Sequence, residues 1–282
     1  MNAASSRLIA RHPVVAYFLA TFTISWSGAF CVAAPYILRH QTIPKLAGIL
    51  MFPVMLLGPS LSSLTLTRLT DGPAGLRDLF ARMRRFRFPA RWYTTLLIPP
   101  AAIFATLLLL RTFLSPVFTP GFFLVGTFFG IPAGFFEEIG WSGFAFPRMS
   151  RTMNPLSAGL LLGLLWGLWH LPVIDFLGAA SPHRRYLVPY FFAFIAAMSA
   201  MRVLIGWAYT NTGSVLLCQL LHISSTGALV VFSPPRVSSA QEAFWYFSYA
   251  ILLWIFVAIV AASWRRGLST VRNLGAESAQ PG

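Results

Sequence analysis

The sequence has 282 residues, of which 57% are hydrophobic and 10% are charged, and its formal net charge is +14. Ordinary soluble domains carry about 25% charged residues, so this composition excludes a water-soluble globular protein. The mean hydropathy of +0.70 predicts a membrane protein in which basic residues set the topology. Nucleic acid is therefore not expected as a partner.

Eight apolar stretches follow one another along the chain, each near or above the ~18 to 20 residues that a spanning helix needs. In chain order they cover residues 13–38, 46–67, 92–110, 112–136, 152–169, 186–209, 203–221 and 243–264. The pattern predicts an all-α, polytopic membrane helical bundle of about eight transmembrane helices, forming one domain over residues 1–266. A polar tail over residues 267–282 is expected to be disordered.

The distribution of arginines predicts the orientation of this bundle. With the N-terminus in the cytoplasm, most arginines fall on the cytoplasmic side, which satisfies the positive-inside rule and places both termini there. Lys45 is the only lysine among 21 basic residues, a bias typical of GC-rich prokaryotic genomes. We therefore expect an integral protein of a prokaryotic cell membrane.

The densest basic segment runs from Arg77 to Arg91, between the second and third predicted helices. Arginines interleaved with phenylalanines are typical of a surface that binds anionic lipid head groups of the bilayer. The alternative is that this segment only fixes the topology.

A few strongly polar side chains lie within the apolar stretches. They are Glu137, Glu138, His170, Arg202, Gln219 and His222. A carboxylate at bilayer depth costs at least about 2.5 to 3.5 kcal/mol, so each one needs a partner or a task. A helical rise of about 1.5 Å per residue places the two glutamates and the two histidines at overlapping depths.

Taken singly, each of these groups is compatible with a role outside catalysis. A histidine flanked by tryptophans is more often packed or interfacial than catalytic, and paired carboxylates also mark ion pathways in transporters. Taken together, two carboxylates and two imidazoles at one depth match a site that activates water. Such a site needs a base in an apolar pocket and imidazoles that hold the water and stabilise an oxyanion.

Three short motifs resemble the CPBP family of intramembrane proteases, which includes CAAX proteases, bacteriocin-processing or Abi proteins, and the Ras-converting CAAX prenyl endopeptidase. The chain reads EEIGWSG from Glu137, where the family often has EExGWRG. Trp166 and His170 match the family's spacing of an aromatic residue and a histidine, and His222 matches the histidine of the third motif. The similarity covers about residues 120–230.

The resemblance implies an intramembrane endopeptidase that acts on a membrane-associated peptide or protein. Glu137 would activate water together with His170. His222 would contribute to the oxyanion site, and Glu138 would orient the cluster.

Two residues depart from the family pattern. Ser142 stands at the family's arginine position, and Thr226 stands where the third motif has asparagine. Ser142 cannot supply a positive charge, and Thr226 offers one hydroxyl donor in place of an amide with two. Arg202 is the candidate replacement cation for Glu138, although snorkelling of Arg202 to the membrane interface is the interpretation that the sequence favours.

The sequence leaves the involvement of a metal open. His170, His222 and Glu137 match a zinc site of two histidines and one glutamate, but the chain has no HExxH motif. The family is described both as metalloproteases and as glutamate-dependent proteases, so the resemblance implies neither type.

Two other functions compete with peptide hydrolysis. A non-catalytic membrane scaffold or bacteriocin-immunity protein of the same fold would account for Ser142 and Thr226 as lost chemistry, but not for the persistence of costly buried groups. A proton-linked transporter is disfavoured, because the sequence shows no repeated halves or paired broken helices.

Overall fold

The described chain is built from α-helices joined by turns and irregular segments of different lengths. The computed structural model describes residues 11–277, with side chains through residue 262, and this range contains no strand. The helices are α1 Pro13–Leu38, α2 Lys45–Met55, α3 Leu57–Thr70, α4 Gly72–Met83, α5 Ile98–Phe113, α6 Thr127–Gly140, α7 Pro155–Trp169, α8 Leu187–Thr212, α9 Val215–Phe232 and α10 Ser239–Glu277. Turns of 3₁₀ helix lie at Ala90–Leu97, Pro116–Phe118, Leu124–Gly126, Ile174–Phe176 and Arg184–Tyr186.

Six segments of the described chain are long and apolar enough to cross a membrane. They are Pro13–Leu38, Lys45–Thr70, Ala90–Phe113, Arg184–Thr212, Val215–Phe232 and Ser239–Ala262. The predicted all-α, polytopic bundle is confirmed, and the protein is an integral membrane protein. The count of eight spanning helices is not confirmed, because the fourth and fifth predicted spans fall outside this set.

Those two helices are shorter than the sequence predicts. α6 has 14 residues and begins at Thr127 rather than near residue 112, because the preceding chain forms 3₁₀ turns at Pro116–Phe118 and Leu124–Gly126. α7 has 15 residues and ends at Trp169, shortly before Pro172, which cannot continue a helix. Short helices are tolerated at membrane depth where protein rather than lipid surrounds their ends.

The helix boundaries near the C-terminal half also differ from the prediction. Gly213 separates α8 from α9 in a left-handed conformation with φ of 60°, which glycine adopts at little cost. The predicted spans 186–209 and 203–221, which overlap, are therefore two separate helices. α10 continues through Glu277, and the disorder expected from residue 267 stays a prediction. Extending a helix costs less than nucleating one, and no proline interrupts residues 239–277. Residues 1–10 of the predicted domain and 278–282 of the predicted tail lie outside the described residues.

Glycines bring the site-bearing helices together. A β-carbon on Gly130 would lie 2.6 Å from the carbonyl oxygen of Ile223, and one on Gly134 would lie 2.7 Å from that of Gln219. α6 and α9 therefore touch through their backbones, as small residues allow in membrane proteins. Gly163 of α7 meets α8 in a similar way. These contacts place the glutamates of α6 beside α9 and the end of α7 beside α8.

The helical path of α6 continues beyond Gly140. It passes through a π-helical turn at Trp141–Ala145 and a last turn at Phe146–Met149. Such π turns disturb the regular backbone ladder and are frequent at functional sites. Here Arg82 of α4 donates two hydrogen bonds of 3.1 Å to the Gly143 carbonyl oxygen and one of 2.9 Å to the Tyr209 hydroxyl. α4 is thereby fixed across the end of the bundle.

Candidate active site

Glu137 and Glu138 are both fully buried on α6. Consecutive helical residues point about 100° apart, so the two carboxylates reach different neighbours. Each carboxylate accepts a hydrogen bond from the side chain four residues later on the same helix face. Trp141 donates to Glu137, and Ser142 donates to Glu138. The two carboxylates are therefore held separately.

Glu138 is held by residues of three helices. Arg202 of α8 donates from Nη2 to Oε1 at 2.6 Å and from Nη1 to Oε2 at 2.9 Å. His222 of α9 places Nδ1 2.8 Å from Oε1, and the Ser142 hydroxyl donates to Oε2. A carboxylate with this many donors is in place as an oriented anion.

Arg202 does not snorkel to the interface. It is 0% exposed, and its guanidinium lies against Glu138, so the interpretation that the sequence favours is wrong and the pairing alternative is the one observed. Pairing prevails because Glu138 has no arginine at position 142, and an unpaired buried carboxylate is far more costly than a paired one. Arg202 also lies over the Trp166 ring, with 4.4 Å from Cζ to the centroid.

Glu137 has one oxygen held and one oxygen open. Its Oε2 accepts hydrogen bonds from Nε1 of Trp166 at 2.6 Å and from Nε1 of Trp141 at 3.0 Å. Its Oε1 is buried without a hydrogen-bond partner among the described residues. Buried carboxylate oxygens are usually satisfied, so an open one points to a bound water or a substrate group.

The two histidines present the same ring nitrogen. Nδ1 of His170 lies 2.8 Å from the Trp166 carbonyl oxygen, and Nδ1 of His222 lies 2.8 Å from Glu138. Carbonyl and carboxylate oxygens only accept, so Nδ1 carries the proton in each ring. In the neutral ring, Nε2 then holds the lone pair, which is available to water or substrate.

Trp166 is the common neighbour of the cluster. Its ring centroid lies 5.7 Å from that of His170 and 5.0 Å from that of His222, while its N–H reaches Glu137 and its face meets Arg202. The structure therefore gathers the two glutamates, the two histidines, Trp166, Ser142 and Arg202 into one buried cluster.

Thr226 is the predicted site residue that the cluster lacks. It is partly exposed on α9, and no hydrogen bond joins it to the clustered glutamates or histidines within residues 11–277. Gln219 serves the backbone instead, donating from Nε2 to the Phe135 carbonyl oxygen at 3.0 Å. The oxyanion donor expected at the family's asparagine position is therefore not supplied by Thr226.

The zinc set of His170, His222 and Glu137 stays a prediction, and the geometry of the described residues gives it no added support. No group of three or more histidine, cysteine, aspartate or glutamate side chains among them is spaced to hold a metal ion. We derive no chemical step through a metal.

Two contributing residues were missed by the sequence prediction. Trp141 carries a signal in retrospect, because it lies four residues after Glu137 and helical side chains tilt toward the N-terminus. Arg82 carries none, since nothing in its local sequence distinguishes it from its arginine neighbours or connects it with Gly143, 61 residues away.

Comparison with known proteins agrees with this arrangement. Residues 119–227, which contain both glutamates and both histidines, match the family model described as type II CAAX prenyl endopeptidase Rce1-like. Over this segment the chain is similar to CAAX prenyl endopeptidases. It is also 26% identical over 220 residues to CAAX prenyl protease 2 of Methanococcus maripaludis, an alignment that covers 73% of this chain and 80% of that relative.

This similarity supports a membrane protease of the CAAX type. The matched segment begins before α6 and ends within α9. It therefore contains the helices that carry the clustered side chains, including Ser142 and Arg202.

Proposed function

We propose that the protein is an intramembrane endopeptidase in which Glu137 activates water to cleave a membrane-associated peptide or protein. The observation that carries the proposal is the open Oε1 of Glu137. This oxygen belongs to a fully buried carboxylate whose other oxygen is fixed by two indoles. A positioned base in a dry pocket is what general base catalysis requires.

The chemistry follows from the positions of the hydrogen bonds. Oε1 of Glu137 takes a proton from water, and the resulting hydroxide attacks the scissile carbonyl carbon. His170 orients the water through Nε2, because its Nδ1 is committed to the Trp166 carbonyl oxygen. Glu137 then passes its proton to the leaving amine, which returns the carboxylate.

His222 and Glu138 serve the developing negative charge. His222 stabilises the oxyanion from Nε2 when that nitrogen is protonated, and Glu138 on its Nδ1 supports the resulting positive ring. Glu138 is in turn oriented by Arg202 and Ser142. Donors fixed in advance around developing charge are usually the largest contribution to catalysis.

We assign the chain to the glutamate type rather than the metallo type. The described side chains do not gather into a metal-ligand set, whereas each hydrogen bond around Glu137 and Glu138 has a role without one. A chelator added to the assay below is expected to leave the cleavage rate unchanged.

We further propose that the protein lies in a prokaryotic cell membrane with both termini in the cytoplasm. Part of the segment 77–91 would then contact the head groups of anionic lipids. Arg82 is turned inward to Gly143, and Arg85 donates to the Thr212 carbonyl oxygen at 3.3 Å. The exposed arginines of this segment are left for lipid head groups. They are Arg77, Arg84, Arg87 and Arg91, whereas Arg85, although also exposed, is bonded to Thr212.

The second candidate is a non-catalytic scaffold or bacteriocin-immunity protein of the same fold. It is favoured by Thr226, which contributes no donor to the cluster. It is disfavoured by the persistence of a buried ion pair and two oriented histidines around an open carboxylate oxygen, because apolar residues of similar volume would serve the fold alone equally well.

The test is cleavage of a membrane-tethered peptide library by purified protein in detergent, with wild type beside Glu137→Ala. We expect products from wild type and none above background from the variant. A folded wild-type protein that cleaves nothing would favour the scaffold, and equal cleavage by both would exclude Glu137 as the base.

A further inference from the structure

Two indole rings hold a single oxygen of Glu137. Nε1 of Trp166 and Nε1 of Trp141 donate to Oε2 at 2.6 Å and 3.0 Å. All three side chains are at most 2% exposed. No other donor of the described residues reaches this carboxylate, so its orientation depends on the indoles.

The donors approach from two different helices. Trp141 lies four residues after Glu137 and points back along the same helix face, whereas Trp166 comes from α7, 29 residues away. The terminal torsion of a glutamate is intrinsically broad, with two nearly equivalent orientations. Two donors fixed on one oxygen remove that freedom and distinguish two otherwise equal atoms.

We propose that Trp141 and Trp166 are positioning residues that make Oε1 of Glu137 the atom that receives the proton from water. This inference rests on the proposed role of Glu137 as the base. Phenylalanine at either position keeps an aromatic ring, although a smaller one, and donates nothing. The carboxylate is then free to rotate and to present either oxygen or neither.

A purely structural role for the two tryptophans makes a different prediction. Trp141 packs edge-on against Tyr17 and Trp169, with centroids 5.7 and 5.9 Å apart, and Trp166 contacts both histidine rings. If the two tryptophans contributed only through packing, removing the indole N–H alone would change neither kcat nor KM. The test must therefore separate the N–H from the ring.

The experiment measures kcat and KM on a peptide chosen from the membrane-tethered library with wild type. It compares Trp166→Phe, Trp141→Phe and a matched control, Trp245→Phe. Trp245 is 0% exposed and its indole N–H has no partner among the described residues. A hydrogen bond to a charged group is worth about 10- to 100-fold, so we expect kcat to fall by about that factor in the first two variants. KM should stay within about twofold, because the orientation of the base acts on attack and not on binding. The control should retain the wild-type kcat.

A second substitution removes the N–H alone. Incorporation of 3-benzothienyl-alanine at position 166 replaces the indole N–H by sulfur and keeps the bicyclic shape, so it decides the matter if Trp166→Phe fails to fold. We expect it to lower kcat as Trp166→Phe does. Retention of the wild-type kcat by this variant would overturn the inference.

Glu137→Gln in the same assay separates the role of Glu137 as the base from the role of the two indoles that orient it. An active Glu137→Gln overturns the proposed function itself. An inactive Glu137→Gln beside a fully active benzothienyl variant overturns only the positioning role of the indoles.

Discussion

Arg202 and Glu138 form a two-bond ion pair inside the bundle, with Nη2 to Oε1 at 2.6 Å and Nη1 to Oε2 at 2.9 Å. Both side chains are at most 1% exposed. Removing one partner of such a pair leaves an uncompensated buried charge, which typically costs about 3 to 5 kcal/mol. The pair explains why a buried Glu138 is tolerated although position 142 carries a serine, which supplies no positive charge.

Arg202→Gln is expected to destabilise the protein by about 3 to 5 kcal/mol. The reason is that Glu138 loses its cation while it remains enclosed. The measurement is the thermal unfolding midpoint in detergent, with Arg111→Gln as the control, because Arg111 is exposed at the end of α5. An unchanged midpoint in Arg202→Gln would show that the pair contributes nothing to the fold.

Moving the cation should restore part of the loss. Ser142 lies four residues after Glu138 and already touches it, so an arginine there can reach the same carboxylate once Arg202 is removed. We expect Ser142→Arg to raise both the midpoint and the activity of Arg202→Ala. Ser142→Arg alone should be destabilising, because Ser142 is 1% exposed and the space is filled.

If the double variant is no better than Arg202→Ala, the arginine of α8 does not replace a cation at position 142. The swap separates charge compensation from packing, because the guanidinium enters from a different helix. In both cases the guanidinium reaches the same carboxylate of Glu138.

Depth along the helices was sufficient to predict that the glutamates and histidines meet, because costly groups in apolar segments need partners at the same level. The direction of Arg202 was not predictable in this way. The position of Arg202 along α8 is compatible both with snorkelling and with pairing. The outcome depends on how α8 is rotated within the bundle, which is set by contacts such as that of Ser199 with Gly163 of α7.

His222→Phe is expected to lower kcat about 100- to 1000-fold, the usual effect of removing an oxyanion donor. The ring volume is retained, and Glu138 keeps both bonds to Arg202, so the fold should persist. Steady-state cleavage checks the prediction, with His12→Ala as the control, because His12 is exposed and its side chain makes no capping bond. A His222→Phe enzyme with wild-type kcat would exclude His222 from the oxyanion site.

Gly134→Ala should separate α6 from α9 and lower both stability and activity. Its β-carbon would lie 2.7 Å from the Gln219 carbonyl oxygen, closer than any packed methyl group, whereas that of Gly227 in the same interface would meet its nearest atom at 3.4 Å. Gly227→Ala is therefore the matched control and should stay near wild type. Equal unfolding midpoints for the two variants would contradict the close backbone contact.

The number of spanning helices and two of the contributing residues were also not predicted from the sequence. Hydropathy alone merged residues 112–136 into one span, since it does not register that α6 begins only at Thr127. Trp141 was readable in principle from its spacing to Glu137. Arg82 was not, because its contact with Gly143 exists only after α4 folds across the bundle.

The central claim is that a buried carboxylate on α6 removes a proton from water. Single-turnover cleavage by Glu137→Gln tests it most directly, since the amide keeps the shape and the indole neighbours of Glu137 but is not a base. We predict a rate at least about 100-fold below wild type, with an unchanged unfolding midpoint and unchanged substrate binding. A Glu137→Gln enzyme that cleaves at the wild-type rate would contradict the account.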